Sequence, residues 1–255
     1  MSNIMIFSIK GGEGKTVLST NLAAAIDNSL LAFCDNTADM DFLFQKRNGF
    51  KLKHPDLFDL RMVETTTKET KKSGEIIHID LIDDVINYVK NEEKETGKEI
   101  HTIYDTGGYN ADEVIEDKYL EYSHHKLIMN ADYIVIPIGI TDIEIQSLKT
   151  MSKILERISS KVGRKIIANV VPCRIHPNAK ITGQSFQNLL NEVSKYDCFN
   201  MLETIINEHS NFKKSMSLGL GVVEAKQTRS SKSSRQIKNL IRELDLPLRS
   251  GNIGV

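Results

Sequence analysis

The chain has 255 residues and a mass of 28.8 kDa, enough to bury a substantial core in one large domain or two small ones. Hydrophobic residues make up 40% and charged residues 26%, which excludes a largely disordered chain, and no apolar run approaches the roughly 20 residues that span a bilayer. The net charge of −1, from 33 basic and 34 acidic side chains, excludes a uniformly basic nucleic-acid binder.

Short apolar runs alternate with amphipathic segments along the chain. The runs predict strands at 4–9, 30–34, 75–79, 100–104, 132–138, 165–171 and 201–206. Apolar residues spaced three or four apart predict helices at 15–26, 80–91, 143–158, 181–196, 211–218 and 230–244. The polar stretch 64–74 is interpreted as an exposed loop or a frayed helix. This alternation predicts one α/β domain over residues 1–255, with a mostly parallel central sheet and helices on both faces.

The cysteine pattern does not predict disulfide bonds. Cys34, Cys173 and Cys198 are odd in number, widely spaced and set among apolar residues. They form no CxxC motif of the kind that binds metal or cycles between thiol and disulfide. The sequence therefore predicts free thiols in the reducing cytoplasm.

The strongest motif is a glycine-rich segment between the first predicted strand and the first predicted helix. It reads Lys10-Gly11-Gly12-Glu13-Gly14-Lys15-Thr16 and continues into Val17. Successive glycines let backbone N–H groups surround phosphate oxygens, and the helix N-terminus adds the positive end of its dipole. Lys15 is expected to reach the β- and γ-phosphates, and the Thr16 hydroxyl to coordinate Mg²⁺. We therefore predict that residues 10–17 bind a nucleotide.

The loop departs by one residue from the usual G-x4-G-K-[ST] pattern, because Ile9 stands where the first glycine belongs and Lys10 is an extra lysine. The motif K-G-G-x-G-K-T resembles the deviant Walker A motif of the ParA/MinD family of dimeric ATPases, and most of all its small ParA-type, Soj-like members. The resemblance extends to residues 20–25, to IYDTGG at 103–108, to ADYIVIPI at 131–138, and to residues 205–212 and 219–244.

The resemblance implies a P-loop NTPase fold that binds ATP and Mg²⁺ and hydrolyses ATP weakly. It implies a sandwich homodimer that forms with ATP, in which Lys10 reaches the phosphates bound to the partner subunit. A second cation at the transferring phosphoryl group makes chemical sense, because negative charge develops there during the reaction. Lys10 and Lys15 are accordingly predicted to be catalytic.

Acidic residues at the ends of predicted strands fit the same chemistry. Asp105 and Asp35 are expected to hold Mg²⁺, Asp105 through water, and Asp35 is also a candidate catalytic residue. Family members usually read D-x-D-P-Q from the position of Asp35, and the second Asp positions the attacking water. Thr37 stands at that position here, and Asp39 lies two residues further on. Asp39 is either the catalytic substitute or a solvated loop acid, and we expect slow hydrolysis.

One residue is a candidate for recognising the adenine base of the nucleotide. Asn169 is interpreted as the end of the strand at 165–171, with Arg174 following. It resembles the family's asparagine near the adenine, which implies that Asn169 contacts the nucleotide. An asparagine at a strand end also often caps backbone groups, so both roles stay open.

The near-neutral total charge conceals a separation of charge along the chain. Residues 1–204 carry 24 basic and 30 acidic side chains, a net of −6, whereas residues 205–255 carry 9 and 4, a net of +5. Six cations recur at spacings of three or four with no acid between them: Lys226, Arg229, Lys232, Arg235, Lys238 and Arg242. The spacing predicts a cationic stripe on a last helix at about 226–244. This stripe predicts nonspecific, salt-sensitive DNA binding, and a merely solvated helix surface is the other interpretation.

Together, the stripe and the resemblance imply an ATPase for DNA partition, with a plasmid as the expected cargo. A ParB-like centromere-binding protein or another adaptor is expected to stimulate hydrolysis. The protein is expected in the cytoplasm, associated with the nucleoid when ATP is bound.

Two other functions remain open. One is a MinD-like ATPase that positions proteins at a membrane or cell pole, although residues 247–255 are too rich in glycine and too weakly apolar to predict a membrane anchor. The other is an ATP-dependent ligase of the dethiobiotin-synthetase type, for which the sequence offers no substrate signature.

Overall fold

A computed structural model describes residues 2–12, 14–34, 39–57, 60–64, 70–72, 75–77, 81–107, 123–176 and 182–250. The strands are β1 (Ser2–Ile6), β2 (Ser29–Cys34), β3 (Arg61–Glu64), β4 (Thr70–Lys72), β5 (Glu75–Ile77), β6 (His101–Thr106), β7 (Tyr133–Ile138), β8 (Ala168–Ile175), β9 (Phe199–Met201) and β10 (Ile206–Asn207). The helices are α1 (Lys15–Ala25), α2 (Asp39–Lys51), α3 (Leu81–Thr96), α4 (Ser123–Asn130), α5 (Asp142–Val162), α6 (Thr182–Val193), α7 (Ser210–Met216) and α8 (Lys232–Glu243).

The central sheet is parallel throughout. Its strand order is β10-β8-β7-β1-β6-β2-β3, and β9 also pairs with β8, beside the first half of that strand. Strand β1 lies in the middle of this order, between β6 and β7. Because the strands run in the same direction, the carboxyl ends of β1, β6, β7 and β8 reach the same edge of the sheet, where the crevice of such folds lies.

Helices cover both faces of the sheet, and β1 shows why. Met5 and Phe7 point to one face and pack in a cluster with residues of α3, α4, α5 and α6. Ile4 and Ile6 point to the other face and pack with residues of α1 and α8. Adjacent strand residues alternate between faces, so a strand covered on both sides must be apolar at nearly every position. The predicted α/β fold, with a mostly parallel sheet between two layers of helices, is confirmed.

Several predicted elements need correction. The strand predicted at 165–171 is β8 and starts and ends later, and the one predicted at 201–206 is two short strands, β9 and β10, on the same side of β8. The strand predicted at 75–79 is β5, which pairs antiparallel with β4 outside the main sheet. The sequence interpretation also missed β3, α2 and α4, and β4 lies within the stretch that was interpreted as a loop or frayed helix.

All three cysteines are free thiols, as the sequence predicts. Cys173 and Cys198 are buried and Cys34 is half-buried. Burial raises the pKa of the Cys198 thiol to about 11, so this cysteine is not a ready nucleophile. In the part of the chain that the structure describes, no helix has the length and apolar character to cross a membrane.

Candidate functional site

The phosphate-binding loop predicted at residues 10–17 joins β1 to α1. Gly12 and Gly14 have φ values of +76° and +87°, in the left-handed region that glycine adopts at little cost. Gly14 is also the N-cap of α1 and supplies no side-chain hydrogen bond to the helix. Left-handed glycines before an uncapped helix start form the backbone geometry in which N–H groups bind anions.

The two lysines of the loop occupy different places. Lys15 is only 7% exposed, and its Nζ donates a hydrogen bond to the carbonyl oxygen of Lys10 at 2.8 Å. The Nζ of Lys10 instead donates to the carbonyl oxygen of Ile143, in the first turn of α5, at 3.2 Å. Lys15 thus places a buried ammonium group at the loop itself, and this position suits a site that receives negative charge.

Asp105 lies beside the loop, as predicted. In the pairing of β1 with β6 it stands opposite Ile6, the last residue of β1, and it is 2% exposed. The neighbouring Thr106 hydroxyl donates to the carbonyl oxygen of Ile6 at 2.6 Å, which ties the ends of the two strands together. Thr16 is half-buried in the first turn of α1, next to Lys15. The structure thus brings Lys15, Thr16 and Asp105 to one edge of the sheet, and this set fits a phosphate with its metal ion.

Other predicted residues of this group lie outside the described part of the chain. They are Glu13, Asp35 and Thr37. Asp39 is the first residue of α2, and its side chain is likewise outside the described part. Their roles therefore remain predictions.

Asn169 is not brought to the loop. It is the second residue of β8, opposite Val135 of β7, and its Oδ1 accepts a hydrogen bond from Asn200 at 2.9 Å. The prediction that Asn169 ends its strand is wrong, because β8 continues to Ile175. Since the carboxyl ends of the strands approach the loop, Arg174 stands there instead.

Arg174 contacts the loop directly, and sequence reasoning did not assign it a role. Its Nη1 donates to the carbonyl oxygen of Gly12 at 3.0 Å, and its Nη2 forms an ion pair with Glu144 of α5. The three residues are far apart in the chain, so no local pattern could have signalled their contact.

An apolar cavity of about 230 Å³ opens beside the loop. Its walls come from the start of α1, the end of β8, the segment after β10, α7 and α8, and include Val17, Cys173, Ile206, His209 and Phe212. Burial lowers the pKa of His209, and the charge of Lys232 lowers it further, so this imidazole is neutral at pH 7. Of these residues, only Val17 was predicted from the sequence to bind the nucleotide, because the others converge only in the folded chain.

The last helix carries part of the cationic stripe. Ser231 caps α8 by accepting a hydrogen bond from the Ser234 N–H at 3.2 Å, so the helix begins at Lys232. The predicted helix at 226–244 is therefore too long at its start, and Lys226 and Arg229 lie in the turns before the cap. Their positions still lead directly into the helix.

The faces of α8 are sharply divided. Ile237, Leu240 and Ile241 are completely buried against the sheet. The opposite arc carries four cations: Lys232, Arg235, Lys238 and Arg242. Within the described residues, no carboxylate lies within 4 Å of any of these four. The arc is consequently a surface of uncompensated positive charge.

Comparisons with known proteins agree with the fold and the loop. The model of the CobQ/CobB/MinD/ParA nucleotide binding domain matches residues 4–245. No curated protein sequence matches the chain.

Three solved structures share the fold across nearly the whole chain. Apo McdA from Cyanothece has 14% identity and a TM-score of 0.58, and covers 96% of this chain and 99% of its own. The ATP complex of Cyanothece McdA(D38A) has 14% identity and a TM-score of 0.59, with coverage of 98% and 99%. A protein of Borrelia burgdorferi B31, described as a plasmid partition protein and bound to AMPPNP, has 15% identity and a TM-score of 0.58, with coverage of 95% and 98%.

Proposed function

Because the chain belongs to the CobQ/CobB/MinD/ParA nucleotide binding domain family, whose ParA and MinD members are P-loop ATPases, we propose that it is a ParA-like ATPase that partitions DNA, with a plasmid as its cargo. One observation carries the proposal: a phosphate loop with an extra lysine and an uncompensated cationic arc stand in the same small domain. The solved relative from Borrelia burgdorferi, described as a plasmid partition protein, supports this assignment.

ATP and Mg²⁺ are the proposed cofactors. The loop backbone and Lys15 would hold the phosphates, and Thr16 and Asp105, with Asp35, would hold Mg²⁺. The metal ion, when bound, neutralises charge on the phosphates. The apolar cavity beside the loop would take the base, since its walls offer the mostly apolar surface that such rings need. Structural relatives with ATP and AMPPNP support a nucleotide of this type.

A homodimer in the ATP state is the second part of the proposal. Lys10 rests on the first turn of α5 and does not fold over the loop of its own chain. Ile143 in that turn is 67% exposed, an apolar side chain that an interface would cover. These positions support a role of Lys10 on the phosphates of a partner subunit. Hydrolysis would be slow, with Asp39 as the candidate for positioning the water, and a ParB-like or other adaptor would accelerate it.

Nonspecific DNA is the proposed partner of the cationic arc on α8, together with Lys226 and Arg229. Contacts to phosphates release counterions, so the logarithm of affinity falls with the logarithm of salt concentration by about 0.9 per phosphate contacted. Dimerisation would double the number of contacts and steepen this slope. The nucleotide state would thus control DNA binding, and with it association with the nucleoid in the cytoplasm.

The test is DNA binding by the full chain with ATP, ADP and AMPPNP, measured by fluorescence anisotropy over a series of salt concentrations. Arg235→Glu with Lys238→Glu should abolish measurable DNA binding and leave ATP binding intact. The matched control is Lys149→Glu with Lys153→Glu, because these exposed lysines of α5 make the same change of charge away from α8. Equal loss in both double variants, or no loss in the first, would refute the assignment of the arc.

A further inference from the structure

Arg174 has an unusual backbone conformation at the carboxyl end of β8. Its φ is +57°, in the left-handed region. Among the described residues, the other non-glycine residues with positive φ are Asn28 and Asp245, which belong to types that tolerate this region. Arginine has no such tolerance, so its surroundings must hold it there. The conformation indicates that the side chain is kept in a required position.

The guanidinium connects the phosphate loop to α5. One nitrogen donates to the carbonyl oxygen of Gly12 at 3.0 Å, and another forms the ion pair with Glu144. Glu144 is itself fixed, because its carboxylate accepts a hydrogen bond from the Thr141 N–H at 3.2 Å and completes the capping box of α5. A Cβ at Gly139 would lie 2.2 Å from this carboxylate, so the end of β7 also confines it.

The same turn of α5 holds Lys10. The carbonyl oxygen of Ile143, which precedes Glu144, accepts the hydrogen bond from Lys10 Nζ. Arg174 also borders both the apolar cavity beside the loop and the groove around Lys10. The Arg174 side chain therefore contacts the loop, the cavity and the turn of α5 to which Lys10 is hydrogen-bonded.

We propose that Arg174 is a positioning residue of the phosphate loop. It holds the Gly12 carbonyl in place, and through Glu144 it fixes the turn of α5 on which Lys10 rests. Its charge is already matched by Glu144, so it acts on the loop backbone and not on the phosphates. The consequence for nucleotide binding rests on the proposed function, but the restraint on the loop is testable in the protein without nucleotide.

The variant Arg174→Gly tests the positioning role, because it removes the side chain without straining the backbone. The glycine accepts φ +57° without strain, so the thermal midpoint should stay close to that of the unchanged protein. Hydrogen exchange is measured by NMR on the full chain without nucleotide, at two amides that flank the loop: Lys10, which donates to Ser8 Oγ, and Leu18, which donates to the Gly14 carbonyl oxygen. Exchange at both should become about tenfold faster, because the charge-assisted hydrogen bond that restrains Gly12 between them is lost. Arg174→Lys should restore only part of the protection, since an ammonium lacks the planar fork that serves both partners.

Two further variants complete the test. Arg164→Ala is the matched control, because it removes an arginine that donates to a backbone carbonyl, that of Met129, and should leave loop exchange unchanged. Glu144→Gln keeps the capping box, which accepts glutamine, and removes only the ion pair. Exchange in the loop should then rise by a smaller factor, about threefold. This variant provides the answer if Arg174→Gly does not fold.

Nucleotide affinity distinguishes positioning from direct contact. Arg174→Gly should weaken the binding of ATP and of ADP by the same factor, because a displaced loop affects the affinity for both. Unchanged loop exchange in both Arg174→Gly and Glu144→Gln overturns the proposal, and so does a loss confined to ATP. Faster loop exchange in a protein that binds no nucleotide at all would support the positioning role and contradict the proposed function.

Discussion

Replacing Glu224 with alanine removes a carboxylate that pairs with a buried arginine of α2. Arg47 donates to both carboxylate oxygens, at 3.0 and 2.7 Å, and the two side chains are 4% and 0% exposed. Arg47 also donates to the carbonyl oxygen of Gly219 at 3.2 Å, and Glu224 accepts from the Gly221 N–H at 2.7 Å. The pair thus joins α2 to the segment that leads into α8.

The expected cost of Glu224→Ala is about 3–5 kcal/mol, because the buried guanidinium loses a bidentate carboxylate and the buried Gly221 N–H loses its acceptor. That is a large share of the roughly 5–15 kcal/mol by which domains are stable. With a urea dependence of about 3 kcal/mol per molar, the unfolding midpoint should fall by about 1–1.7 M. The control is Asp83→Ala, which removes the exposed pair with Lys126 and should cost at most about 1 kcal/mol.

The measurement is a double-mutant cycle in urea, with Arg47→Met, Glu224→Leu and the two combined. The combined variant removes both charges of the pair together, and the Gly219 carbonyl and the Gly221 N–H lose their side-chain partners. It should therefore be less destabilised than the sum of the single variants. A loss below about 1 kcal/mol for Glu224→Ala, or strictly additive single variants, would refute the idea that this pair fastens α2 to the rest of the domain.

Three further outcomes are expected. Lys15→Ala should abolish nucleotide binding in equilibrium titrations. Lys10→Ala should still bind ATP as a monomer but fail to dimerise in analytical ultracentrifugation. Dimerisation of Lys10→Ala with ATP would contradict a role of Lys10 across the interface. Gly219→Ala should destabilise the fold by several kcal/mol in chemical denaturation, because φ is +71° and the Cβ would lie 2.4 Å from the Arg47 backbone nitrogen. Burial lowers the pKa of His101 from 6.5, so the unfolded chain binds a proton at this imidazole more readily than the folded chain does. The free energy of unfolding should therefore fall as the pH drops below about 6.5, and His101→Asn should lessen this fall.

The sequence was most informative where structure is determined locally. The order strand, glycine loop, helix correctly predicted the arrangement around Lys15, because each part depends on neighbouring residues. The position of Asp105 could also be predicted, since it lies at the carboxyl end of a buried strand in a parallel sheet. The contact of Arg174 with Gly12, and that of Arg47 with Glu224, were out of reach because they join residues more than 160 positions apart.

The end of β8 was misjudged for a specific physical reason. The predicted strand stops at residue 171, directly before Pro172, which lacks the N–H that a strand ladder uses. In the structure β9 pairs with residues up to Val170, and β10 pairs from Cys173 onward. Pro172 stands between these two partners, where no ladder bond is required of it on that side. The start of α8 was misjudged similarly, because the spacing of cations says nothing about which serine caps the helix.

The short strands beside β8 have a consequence for the protein in solution. One border of the sheet is formed by β9 and β10, of three and two residues, and the other by the four residues of β3. Long free borders recruit strands from other molecules and lead to aggregation, whereas borders this short offer few backbone groups to pair. The nucleotide-dependent dimer proposed above would gain from such borders, because contacts between copies would then be left to side chains whose charge and position can be regulated.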